Sequence, residues 1–230
     1  MDETVTLPDM WAILDCANIM EQQRPIHNES TWAYLRGSYI ASVGISNSTM
    51  DYDQIYGNGF GPDSIIVKHH PDKGRAVYAN KKFRKGDTVW EDASACFTKG
   101  RDYRHFLASI PAHLACEVFL WAYSGKSYGV CVDLDEGSFI NHASAGDNEN
   151  IDREHPNMMV NNMDQHTASR DIHPGDEILT DYGEFSEAAG WAELGLGSWG
   201  ESDENLYYDD GDYVNDDTED AEDAMMKEEL

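Results

Sequence analysis

Three short segments hold the residue types that could do chemistry. "KGRAVYA" (73–79) places a glycine at a turn, where the missing side chain lets a bound molecule approach the main chain. "SFINHAS" (138–144) sets an Asn–His pair, Asn141 and His142, after the apolar step Phe139-Ile140. "SRDIHPGDEILTDYGEF" (169–185) ends in an Asp–Tyr pair whose phenol, Tyr182, can orient a polar reactant. Taken singly, each has an ordinary reading: a strand-leading turn, a polar pair satisfied in a turn or core, and a half-buried aromatic.

Other chemistries lack their spacing. Cys16, Cys96, Cys116 and Cys131 lie far apart with no CxxC, so neither a zinc site nor a disulfide framework is expected, and the thiols read as reduced and mostly buried. The nine histidines, including His69-His70, show no HxxxH or HExxH pairing, so no metal is expected. The acidic C-terminal run has no DxDxDG with its closing Glu, which excludes an EF-hand.

In their order along the chain the three segments resemble the SET-domain protein-lysine methyltransferases. That family shows a Gly-Arg-Gly-Val-Phe-Ala-like opening, an Arg-Phe-Ile-Asn-His-Ser core and a Gly-Glu-Glu-(Leu/Ile)-Thr-x-Asp-Tyr close. The resemblance covers roughly residues 63–186. It implies a mainly β (α+β) SET-type fold of small sheets, with knot-like threading of the C-terminal segment and a helical insert. It further implies S-adenosylmethionine as cofactor and methyl transfer to the side-chain amine of lysine in a protein substrate, possible targets including histones. Tyr182 matches the catalytic tyrosine, and Gly74, Arg75, Ala76, Asn141, His142 and Tyr182 match the cofactor site. Tyr123, Tyr128 and Phe185 match the aromatic walls of the lysine channel, while core packing is the competing reading for each. Trp191 or Trp199 could cover the adenine.

Departures from the family pattern are visible. Ala76 replaces the second Gly of the opening motif, and Ala143 stands one place before the Ser expected after Asn–His. No cysteine follows Cys131, so the zinc-binding segment that closes many members is missing. The usual Pro-Asn after Asn–His is displaced: either "GDNEN" substitutes locally or Pro156-Asn157 is the counterpart beyond an acidic insertion, the latter preferred because Asn157 to Arg170 leaves room for one hairpin.

The elements that must position these residues are read from periodicity. In residues 7–23 a proline suits a first helical turn, and Met10, Ile13, Leu14, Ala17 and Met20 fall on one helical face. "TWAYLRGSYIASVG" reads as helix or strand, and "GNGFGPDS" (57–64) as a boundary. Residues 1–62 thus form an N-terminal mixed or helical element, 63–186 the SET domain, 187–200 a flank and 201–230 an acidic tail. From Ile65 onward the β runs are "SIIVK", "AVYA", "DTVW", "YGVCVDL", "NMMV", "HTAS" and "DEIL", interrupted by a helical insert at about 102–123 in which Pro111 opens a helix. "FRKGDTV" (83–89) and "IHPGDEI" (172–178) echo one another and predict two hairpins of one type, each turning on a glycine.

Charge bounds the partners. The chain has 230 residues, 44 acidic against 16 basic, for a net charge of −28. Residues 201–230 contribute 14 acids against Lys227 alone, a composition expected to be disordered. Such a charge favours a basic, Lys-rich protein substrate and disfavours direct nucleic acid binding. No apolar stretch reaches the roughly 18 residues of a membrane span, and the acidic N-terminus lacks a signal-peptide pattern, so an intracellular location in nucleus or cytoplasm is expected. The closing "KEEL" and the sequons at Asn28 and Asn47 then read as chance matches. "KKFRK" (81–85) reads as part of the fold rather than a nuclear signal. The competing functional class is a non-catalytic SET-fold binding or chaperone protein for basic partners.

Overall fold

The computed structural model describes residues 4–57, 59–91, 94–125, 129–143, 158–162, 165–182 and 190–197. Tyr128, Phe185, Pro156-Asn157, Trp199 and the acidic tail lie outside the described residues.

The chain begins with helix α1 (Leu7–Ile13), where Thr6 and Asp9 form a reciprocal capping box and Pro8 occupies the first turn. The single helix expected over 7–23 is broken: Asp15 adopts φ 58°, and α2 (Cys16–Met20) starts anew. Helix α3 (Glu29–Val43) is capped by Asn28, whose side-chain oxygen accepts from Thr31 N at 3.1 Å. Its buried face carries Trp32, Leu35, Tyr39, Ile40 and Val43 at helical spacing. Arg36 shares that face, with its guanidinium donating to the carbonyls of Ile55 (2.8 Å) and Leu134 (2.9 Å) and to Glu29.

Strands β1 (Ile65–His70) and β2 (Gly74–Ala79) form an antiparallel hairpin closed at His70↔Gly74. Strands β3 (Thr88–Glu91) and β4 (Ser94–Phe97) lead to helices α4 (Gly100–Ser109) and α5 (Ala112–Trp121), which Pro111 separates. Next come β5 (Tyr123–Gly125), β6 (Gly129–Asp133), the two-residue β7 (Asn141–His142), β8 (Met158–Asn162), β9 (Gln165–Ala168), β10 (Leu179–Thr180) and helix α6 (Gly190–Glu193). The remaining sheets have the orders β4-β6-β5 and β3-β9-β8, with β7 and β10 forming a parallel pair. The architecture is α+β rather than mainly β, because three N-terminal helices join α4 and α5 in burying the same core as the strands.

The two echoed segments are turns but not local hairpins. Asp87 and Asp176 each accept from the main-chain N–H three residues earlier, of Arg84 and of His173, both at 2.8 Å. Gly86 (φ 88°) and Gly175 (φ 95°) take the left-handed conformation that the turn demands. The flanking strands then pair across to the other copy. Phe83 pairs with Ile172, Thr88 with Thr167 and Tyr78 with Glu177. Gly86 N donates to Ala168 O and Gly175 N to Ala79 O, both at 2.8 Å. The segments therefore exchange equivalent bonds at one constant spacing along the chain, a pseudo-two-fold arrangement that places the "GDEILTDY" run beside β2.

The cysteine expectation is overturned. Cys16 is bonded to Cys116, linking α2 to α5, and Cys96 to Cys131 across the directly opposed β4 and β6. With the partners separated by 100 and 35 positions in sequence, neither pairing leaves a spacing signal. Only the packing of α2 on α5 and the β4–β6 register brings the thiols together.

Candidate functional site

The short parallel pair is the centre of the site. Leu179 pairs with Asn141 and Thr180 with His142, and Ala143 N extends the ladder by donating to Thr180 O at 3.0 Å. Parallel pairing sends both strands onward in the same direction, so Tyr182 emerges next to His142. The Tyr182 main-chain N–H donates to His142 Nδ1 at 3.1 Å, and the two rings lie 5.1 Å apart. Accepting that bond requires a lone pair on Nδ1, so the neutral ring carries its proton on Nε2. Asp181 Oδ1 lies 3.9 Å from the same Nδ1, too long to compete as a hydrogen bond. The Tyr182 hydroxyl donates to the carbonyl of Ile140 at 2.7 Å.

Asn141 is held from two sides. Its Nδ2 donates to Arg75 O at 3.1 Å and to Glu177 Oε1 at 2.8 Å. Both partners are pure acceptors, which fixes the amide orientation. Gly74 opens β2 at φ 79°, a conformation strained for any side chain. Ala76 is fully buried.

Arg75 contributes to the site through its main chain. Its guanidinium turns inward, donating from Nη1 to Glu117 Oε2 at 2.6 Å and to Pro25 O at 2.9 Å. The cation also lies over the rings of Phe139 (4.2 Å) and Trp121 (5.3 Å). His27 Nε2 lies 2.9 Å from Glu117 Oε2 and donates to it. Burial alone would raise the Glu117 carboxyl, but the His27 hydrogen bond and the Arg75 charge bring it below its ordinary value. Burial lowers Arg75 while Glu117 opposes that shift, and the guanidinium remains a cation. The N-terminal segment around Pro25 and His27 thus braces the strand whose carbonyl holds Asn141.

Asp135 anchors the approach to β7 from the other side. It is 2% exposed and accepts from Gly59 N, Trp90 Nε1 and Gly137 N at 2.7, 3.0 and 2.7 Å. Burial raises its carboxyl, with these three hydrogen bonds acting in opposition.

Of the residues singled out from sequence, Gly74, the Arg75 carbonyl, Asn141, His142 and Tyr182 are linked by this network. Tyr123 starts β5, its hydroxyl donating to Asp133 Oδ1 at 3.1 Å and lying 2.9 Å from Ser94 Oγ. Trp191 packs edge-on against Tyr103 at 5.9 Å as part of the core. Glu117, His27 and Glu177 were missed. Glu117 had a signal, a single carboxylate inside the otherwise apolar "LACEVFLW", a pattern that needs a buried partner.

The family model for the SET domain matches residues 74–183, the span that contains this network. Over these residues the chain is similar to the SET domain family. Within curated proteins, the chain is 29% identical over 147 residues to the N-lysine methyltransferase KMT5A-A of Danio rerio, covering 60% of this chain and 40% of that protein. It is 25% identical over 135 residues to the histone-lysine N-methyltransferase Set8 of Drosophila melanogaster, covering 54% of this chain and 18% of that protein. The chain spans less than half the length of these relatives. A solved structure of ATXR5 in complex with histone H3.1 mono-methylated on R26 is similar at 15% identity and a TM-score of 0.36, covering 54% of this chain and 59% of that one.

Proposed function

We propose that this SET domain transfers a methyl group from S-adenosylmethionine to the side-chain amine of a lysine in a basic protein substrate, with histones the first class to try. The carrying observation is the parallel β7–β10 pair, which gathers Asn141, His142 and Tyr182 into one hydrogen-bonded cluster. In this reading the pair is the floor of a knot-like threading, with cofactor on one side and lysine on the other. The donor set suits the cofactor: Asn141, with both amide hydrogens committed, offers its carbonyl oxygen to an ammonium.

The cofactor supplies a sulfonium methyl, and transfer forms an N–C bond as the C–S bond breaks, a thioether leaving and the amine's surplus proton passing to water. The protein's own contribution is alignment. The Tyr182 hydroxyl spends its proton on Ile140 O, so its oxygen accepts an N–H of the entering amine and turns the nitrogen lone pair toward the methyl. That amine has to arrive neutral, although with a pKa of about 10.4 only about one in 2,500 is neutral in water at pH 7. An apolar passage next to positive charge favours the free amine, so no strong base is needed.

The test is a methyl-transfer assay with core histones and Lys-rich peptides, read by mass spectrometry, on wild type and Tyr182→Phe. The variant is expected to lose at least about a hundredfold in turnover, while cofactor affinity by calorimetry changes by no more than a few fold. Wild-type turnover in the variant refutes the assignment. Cofactor-free histone binding without any transfer favours a non-catalytic binder. Action inside the cell is part of this proposal, and the two disulfides press the other way, since such bonds persist in oxidising surroundings.

A further inference from the structure

Asn141 is useful to a cofactor only in one orientation, and of the two groups that accept its amide hydrogens, the Arg75 carbonyl and Glu177, only Glu177 is a side chain that can carry charge. Glu177 sits in β10's leading segment, paired to Tyr78 of β2, with its side chain 9% exposed. Its Oε1 takes the second amide hydrogen of Asn141 at 2.8 Å, and its Oε2 takes Lys73 Nζ at 3.1 Å. Lys73 precedes Gly74 at the start of β2, and the Arg75 carbonyl two residues on takes the first amide hydrogen. The carboxylate therefore bridges the opening segment and the Asn141 side chain.

We infer that Glu177 is a positioning residue for cofactor binding: it holds the Asn141 amide so that the oxygen, not the NH2 group, is presented to the cofactor. The inference rests on the proposed methyl-transfer reading. An amide can turn about its terminal torsion, and its two faces are nearly the same size. Against a single neutral carbonyl, the turned form would lose one neutral hydrogen bond. Against a carboxylate plus a carbonyl, the turned form sets oxygen against two acceptors, one of them charged, and charge-assisted bonds are about twice as strong as neutral ones. Lys73 keeps the carboxylate from swinging away and offsets its charge, so the site does not gain an unbalanced anion. The position of Glu177 is itself fixed by the pseudo-two-fold exchange, since Tyr78↔Glu177 is the counterpart of Thr88↔Thr167.

The test is S-adenosylmethionine titration by calorimetry of wild type, Glu177→Ala, Asn141→Ala, the double variant and Glu177→Gln, with thermal unfolding of each recorded in the absence of cofactor. Glu177→Ala is expected to weaken binding by roughly tenfold to a hundredfold, the loss of one charge-assisted bond. The double variant is expected to bind no more weakly than Asn141→Ala, because Glu177 acts through that side chain. Glu177→Gln, which can still offer an oxygen to Asn141, recovers most of the lost affinity, a rescue that general destabilisation would not produce. Additive losses in the double variant, or a Gln variant as weak as the Ala one, overturn the inference. If Glu177→Ala does not fold, the Gln variant decides alone: binding within about threefold of wild type supports positioning, and a loss equal to that of Asn141→Ala refutes it. Absence of binding by folded wild type would instead refute the methyl-transfer reading.

Discussion

Glu117→Gln tests whether the buried charges beneath the site are coupled. Glu117 Oε2 is shared by Arg75 Nη1 at 2.6 Å and His27 Nε2 at 2.9 Å, and all three side chains are nearly fully buried. Glutamine keeps the shape and one accepting oxygen but removes the charge. Arg75 then stays in the core with a neutral amide oxygen in place of the carboxylate, the Pro25 carbonyl and two aromatic faces as its compensation among the contacts described above. Those faces contribute about 0.5–2 kcal/mol, whereas breaking a buried ion pair by removing one partner costs about 3–5 kcal/mol. For a chain of this size each kcal/mol moves the melting temperature by about 2–4 °C, so a fall on the order of 10 °C is expected by circular dichroism or calorimetry. Sodium chloride should change the difference little, since the pair is shielded from solvent. Adding Arg75→Met to the Gln variant removes the orphaned cation and should restore a large part of the loss. A Gln variant melting within about 2 °C of wild type, or a double variant whose losses simply add, would refute the coupling.

Three further outcomes are expected. His166 is buried against Trp90 with its imidazole pushed down to about 4, below the ordinary 6.5; the unfolded chain then binds the extra proton between those values, so stability falls by about 3 kcal/mol as pH drops from 6.5 to 4, and urea titrations should show His166→Phe lacking that share of the slope. Loss of Cys16–Cys116, whose partners are 100 positions apart, should cost about 4–5 kcal/mol by chain entropy, read without reductant as a lower urea midpoint in Cys16→Ser/Cys116→Ser than in wild type. Deleting residues 201–230, with their 14 acids, should raise KM for a basic peptide at low salt and leave kcat nearly unchanged, an effect that vanishes at a few hundred millimolar salt, where the Debye length is about 5 Å; a lower KM would mean that the tail masks the substrate site.

The sequence alone determined what depends on near neighbours. The proline in the first turn of α1, the turns at Gly86 and Gly175, most strand positions and the order of the three motifs all rest on interactions spanning a few residues, and those leave a local mark. Asp15 shows the limit of that mark, since one residue in the left-handed region divides a helix whose apolar spacing continues across the break. Only the tertiary structure decided which distant groups meet. The echoed turns were legible, but not that Phe83 pairs with Ile172 instead of closing a local hairpin, because any strand edge offers the same main-chain donors and acceptors. The pairing of Cys16 with Cys116 and the inward turn of Arg75 toward Glu117 follow from how α2 and β2 pack on α5. Glu177 stood in plain view inside the closing motif, and its bond to Asn141 exists only because β7 and β10 run parallel and β2 lies alongside, a juxtaposition that no local spacing encodes.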